Sequence, residues 1–139
     1  MNRKLCLLVL VVALLTGCRG GEVLAPVTGL VTLEGQPVPN AWVLFDNDQL
    51  GVHMSAPADK DGRFVARMAN GDGFPLGEYD VRVCPPVQDH PLGPITAPPP
   101  GVDPYLASIP LKYRKRETSG LKLTVKKQNN TFDIEMKRE

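Results

Sequence analysis

The sequence predicts an all-β fold, a seven-stranded antiparallel β-sandwich, and three observations predict it. Apolar and polar residues alternate at period two in seven short segments. Glycine, proline, asparagine and aspartate separate the segments, with 13 Gly and 14 Pro in the chain. Beyond the amino-terminal stretch, no segment carries an apolar face at helical spacing. At 139 residues the chain has room for one such domain and little more.

The amino terminus obeys a different pattern. Arg3 and Lys4 precede a continuous apolar run, Leu5 to Leu15. A spanning helix needs about 20 apolar residues, so this shorter run fits the core of a secretory signal. It ends in Leu15-Thr16-Gly17-Cys18. That motif resembles the lipobox of bacterial lipoproteins. The resemblance implies a signal peptide over 1–17 and a mature chain whose first residue, Cys18, carries a diacylglycerol thioether and an acylated amino group. Two or three acyl chains on one residue would hold the protein durably on a membrane, where a single chain binds only marginally. Arg19 follows the cysteine, where an aspartate would favour the inner membrane, and so leans toward the outer membrane, on its periplasmic or surface face. Loss of Arg3 and Lys4 moves the formal charge from +1 to about −1.

Residues 18–25 then form a short tether with no assigned structure, and residues 26–139 the β-domain. Val27, Gly29, Val31 and Leu33 alternate with Thr28, Leu30 and Thr32, and Glu34-Gly35 supplies a tight turn. Ala41, Val43 and Phe45 alternate with Trp42 and Leu44, which predicts a strand covered on both faces or a partner patch over Trp42. His53 to Ala56 is a short strand. Asp59-Lys60-Asp61-Gly62 turns into a strand with Phe64, Ala66 and Met68 on one face. In residues 77–83, Tyr79, Val81 and Val83 oppose Glu78, Asp80 and Arg82. Residues 85–110 hold nine of the prolines and predict an extended, partly polyproline loop. Leu121, Leu123 and Val125 begin the tail. Gln128-Asn129-Asn130 turns it, and Phe132, Ile134 and Met136 complete it.

The series VTGLVTLEGQPVPNAWVLF, DKDGRF and LGEYDVRV resembles the carboxypeptidase regulatory-like domains, whose fold is a transthyretin-like (prealbumin-like) sandwich. The match runs over most of residues 26–84. The tail IPLKYRKRETSGLKLTVKKQNNTFDIEM resembles the final part of small secreted lipoproteins of planctomycete bacteria, in which a last hairpin closes the domain. The resemblance implies a prealbumin-like or Ig-like sandwich, no catalytic residues and no cofactor. The histidine, arginine and carboxy-terminal signatures of the transthyretin-like hydrolase branch are missing.

The residues themselves exclude several classes. With Cys6 in the signal and Cys18 acylated, Cys84 has no disulfide partner and reads as a buried small hydrophobe. Two histidines and one thiol at unrelated spacings make no zinc site. Asp46, Asn47, Asp48, Asp59, Asp61 and Asp72 lack the offsets and closing glutamate of a calcium loop. His53 with Ser55 and Asp59 suggests a triad, but no nucleophile elbow accompanies them, and Ser108 and Ser119 have no supporting context. The only dense basic cluster, Lys112, Arg114, Lys115 and Arg116, is too small for a nucleic-acid footprint and reads as a solvated loop or an anionic-surface contact. Asn129-Asn130-Thr131 is a glycosylation sequon or simply a turn. The expected function is therefore that of a non-catalytic, lipid-anchored envelope protein with an unidentified protein or polysaccharide partner. The alternative is a glycan- or peptide-binding module with Trp42, Tyr105 and Tyr113 as contact aromatics.

Overall fold

The structure, a computed structural model, describes residues 23–69, 71, 73–85 and 109–138. The signal and lipobox residues, Leu15, Thr16, Gly17 and Cys18 included, lie outside the described residues, as do Asp72, His90, Tyr105, Ser108 and most of the proline-rich segment.

The described chain is mostly β. Its strands are β1 (Leu24–Ala25), β2 (Val27–Leu33), β3 (Gln36–Pro37), β4 (Trp42–Asn47), β5 (Val52–Pro57), β6 (Arg63–Ala66), β7 (Phe74–Pro75), β8 (Gly77–Cys84), β9 (Leu121–Val125), β10 (Asn130–Thr131) and β11 (Ile134–Met136). The described residues form eleven strands and not the expected seven: a longer strand overlaps each predicted segment, and four two-residue strands are added. Two single helical turns, α1 (Leu111–Arg114) and α2 (Arg116–Ser119), break the expectation of no helix. Four residues are too few to show a helical apolar period, so periodicity carries no signal for them.

One sheet has the order β5-β4-β8-β9, antiparallel throughout. The second centres on β2, which pairs antiparallel with β3 and β6 and parallel with β10 and β11. β1 pairs with β7 in a third, two-stranded sheet. Three expectations change here. The tether's last residues, Leu24 and Ala25, are strand, and Ala25 is buried. The sandwich is not wholly antiparallel. The tail is not a hairpin: after β9 the chain leaves the first sheet and enters the second beside β2. Alternation is the same on either path, so periodicity does not distinguish a hairpin from a crossing.

The strand order also separates this fold from the immunoglobulin arrangement. In an immunoglobulin constant domain the first two long strands share a sheet with the fourth and fifth. Here the first long strand, β2, lies beside β6 and β11, and the second, β4, beside β5 and β8.

Both larger sheets feed one buried core. Val43, Phe45, Tyr79, Val81 and Val83 come from the first, Val27, Val31, Leu33, Phe64, Ile134 and Met136 from the second. A run of aromatics crosses it. Phe45 meets Phe64 at 6.0 Å and Phe74 edge-on at 4.9 Å, and Phe74 stacks on Tyr79 at 5.3 Å. Offset and edge geometries of this kind stabilise by about 0.5–1.5 kcal/mol per pair beyond area burial. The Tyr79 hydroxyl donates to the Pro75 carbonyl four residues back, at 2.9 Å, inside the core. That contact resembles the tyrosine corner of sandwich proteins.

Two local features fix the frame. Glu34 and Gly35 both have positive φ, 50° and 77°, which is the two-residue turn whose twist matches a hairpin. Gly29 lies where the Phe132 backbone and the Phe64 ring press on β2, so a side chain there would collide with both. The crossing from β9 to β10 is held by buried Asn130. Its amide donates to the carbonyls of Gln128 at 2.7 Å and Lys126 at 3.0 Å, and its Oδ1 accepts the Lys126 N–H at 3.0 Å.

Candidate functional site

Period-two alternation in β4 sends Val43 and Phe45 inward and Trp42, Leu44 and Asp46 outward. The register then builds rows across the outer face. Asp46 stands opposite His53 on β5 and Asp80 on β8, and Asp80 opposite Lys122 on β9. Two carboxylates directly opposite each other are destabilising unless cations intervene.

Here cations intervene on every side. Asp46 is nearly buried; its Oδ1 lies 2.9 Å from His53 Nδ1, and its Oδ2 accepts from Arg82 Nε at 3.2 Å. Asp80 accepts from Lys122 Nζ at 3.1 Å and from Arg116 Nε at 3.0 Å. Arg116 extends from α2 to Asp48, 2.8 Å from its carboxylate. The Lys122 and Arg116 hydrogen bonds hold the Asp80 carboxyl below the usual carboxylate range. The Arg116 hydrogen bond does the same for Asp48, and the two aspartates raise the Arg116 guanidinium in turn. An open depression of about 260 Å³ lies over the network, lined by Asp46, Asp48, Glu78, Asp80, Arg116 and Lys122.

Three carboxylates are thus matched by three permanent cations, with His53 alongside. The arrangement can pin α2 onto the sheet and present a balanced, polar surface. Among the described residues no group of three or more His, Cys, Asp or Glu side chains is placed to hold a metal ion.

The sequence-predicted residues fall out as follows. His53 turns to Asp46, and among the described residues no hydrogen bond joins it to Ser55 or Asp59. Asp59 Oδ1 accepts the N–H groups of Asp61 and Arg63, and these bonds lower its carboxyl below the usual range. The Asp59-Gly62 stretch is therefore a turn locked by its own side chain. Ser119 is structural: its Oγ donates to the Val81 carbonyl and accepts the Leu121 N–H, completing the ladder where β9 begins. Three members of the basic cluster are drawn into the fold, and Lys115 is exposed. Arg114 donates to the Ile109 carbonyl at 2.8 Å, Lys112 lies 5.0 Å over the Tyr113 ring, and Arg116 is ion-paired.

Of the three aromatics, Tyr105 lies outside the described residues. Tyr113 is buried, and its hydroxyl accepts the Lys137 N–H at 3.1 Å, so it joins α1 to the strand end after β11. Trp42 is half-buried at the start of β4, opposite Pro57 and Cys84. Cys84 is likewise half-buried rather than buried; its Sγ is 3.8 Å from the Arg114 carbonyl, and burial raises its thiol. The Asp46–Asp80–Arg116 network was missed because its members lie far apart in sequence. The available signal was the outward Asp80 and Lys122 in two alternating strands, whose pairing the sequence does not specify.

No family model matches the chain, and no curated protein or solved structure resembles it closely enough to show a relationship.

Proposed function

We propose that the protein is a non-catalytic, lipid-anchored cell-envelope protein whose β-sandwich serves as a structural or protein-interaction module. The observation that carries this is Leu15-Thr16-Gly17-Cys18 directly after a basic start and an 11-residue apolar run. The fold adds support from the other side. Leu24–Ala25 pairs with Phe74–Pro75, which ties the chain six residues after Cys18 into the β-fold and suits a domain held close to its anchor. Among the described residues no helix is long and apolar enough to cross a membrane. The outer face of the four-stranded sheet is charge-balanced and internally paired, which suits a contact surface better than a reactive one.

A carboxypeptidase regulatory-like, prealbumin-like sandwich is the family reading. It is supported by the quoted turns, which occupy the Leu33–Gln36 hairpin and the Asp59–Arg63 turn, and by Tyr79 in the strand after Gly77. Glycan or peptide binding is the second reading. Half-buried Trp42 favours it, because that ring keeps part of its surface open beside the outward row of β4.

Cys18→Ser should abolish incorporation of labelled palmitate and leave residues 1–17 uncut. Palmitate incorporation unchanged by Cys18→Ser would overturn the anchor.

A further inference from the structure

β2 near the amino terminus and β10 and β11 near the carboxy terminus run side by side in the same direction. Both late strands pair parallel with β2, Asn130 opposite Val27 at one end and Met136 opposite Leu33 at the other. The bonds along this edge reach from Pro26 to Glu34. The Pro26 carbonyl accepts the Asn130 N–H at 3.0 Å, and the Thr28 carbonyl accepts the Phe132 N–H at 2.8 Å. Between β10 and β11 the Asp133 carboxylate takes over and accepts the Leu30 N–H at 3.0 Å. Thr32 Oγ1 then donates to the Ile134 carbonyl at 3.2 Å, and the Glu34 N–H donates to the Met136 carbonyl at 2.9 Å. The other edge of β2 is occupied by β6 and β3, so the strand is held from both sides.

Parallel pairing decides how this edge answers to force. The chain enters β2 at the Val27–Asn130 end and leaves β11 at the Leu33–Met136 end, roughly 20 Å away at about 3.3 Å per residue. Pulling the two chain ends apart slides β2 along β10 and β11, across the bonds that join them. The bonds then carry the load together, whereas a hairpin pulled from its open end parts one bond at a time. Both approaches to the edge are fastened. Upstream, Leu24–Ala25 pairs with Phe74–Pro75, and the Ala25 carbonyl lies so close to Gly73 that a side chain there would collide with it. Downstream, the Tyr113 hydroxyl accepts the Lys137 N–H, and Glu34 Oε1 accepts the Arg138 N–H.

We propose that the β2–β10–β11 edge is a shear clamp, which carries tension between the amino-terminal attachment at Cys18 and the chain end after β11 and makes the module load-bearing. This deepens the structural-module reading and rests on the lipid anchor for the point where the load enters.

Single-molecule force spectroscopy tests the clamp on the full chain carrying Cys6→Ser, Cys18→Ser and Cys84→Ala, with Cys84→Ser as a second background. Handles at Val23→Cys and Lys137→Cys shear the edge. Handles at Val23→Cys and Gln128→Cys peel β2 from β10, starting at Asn130. All three handle positions are exposed. Forced unfolding follows the barrier along the pulled direction, so at equal loading rate the 23–137 pair should unfold at about twice the force of the 23–128 pair. Thr32→Val removes one bond from the far end of the edge. It should lower the 23–137 force and leave the 23–128 force unchanged, because peeling breaks the Pro26 bond first. Equal forces in the two directions would overturn the clamp and leave the anchor untouched. Wild-type Cys18 found without lipid would overturn the load path, whatever the forces.

Discussion

Tyr79 is buried among Phe74 and the core of both sheets, yet its hydroxyl has a partner in the Pro75 carbonyl. Tyr79→Phe keeps the ring and strands that carbonyl. A lost hydrogen bond that leaves a buried acceptor unpaired costs about 1–3 kcal/mol, so the urea midpoint should fall without a change in slope. Cys84 makes the opposite point, that a free cysteine need not be reactive. The thiolate is the reactive form, and burial raises this thiol above its ordinary value. Alkylation by iodoacetamide at neutral pH should run slower in the folded protein than in urea, and equal rates would contradict the placement.

At the scale of elements, β2 organises the second sheet because it accepts partners on both edges. Gly29 allows this, since the Phe132 backbone comes too close for any side chain. Gly29→Ala should push β10 and β11 away from β2. Overpacking of this kind costs about 1–3 kcal/mol, and amide exchange should rise first at Phe132, whose N–H bonds the Thr28 carbonyl. The strands themselves were legible, because alternation and turn residues are local signals. Glu34-Gly35 and Asp59-Gly62 read directly as turns. What alternation does not encode is which strand lies beside which. The tail therefore read as a hairpin, although Asn130 anchors a crossing between sheets. The ion network was hidden for the same reason: Asp46, Asp80 and Arg116 meet only once β4, β8 and α2 are placed.

For the molecule as a whole, the network links stability to pH. The folded Asp80 and Asp48 carboxyls lie below their unfolded values, near 3.9 for aspartate. Their contribution is thus fully present above that unfolded value and is lost as pH falls through the depressed folded ones. Arg116→Met should lower the urea midpoint at pH 6 and leave a smaller difference from wild type at pH 3. A gap that widens on acidification would contradict the pairing. Exposed ion pairs contribute little individually, so a small fall in the midpoint is expected at pH 6.

The balanced outer face and the Leu15-Thr16-Gly17-Cys18 motif both suit the proposed module held at a membrane by its mature first residue. Intact mass measurement of the protein from native membranes tests this most directly. The account predicts a chain beginning at Cys18 that carries a diacylglycerol and an amide-linked acyl chain on that residue. A chain that retains residues 1–17, or that starts elsewhere without lipid, would contradict it.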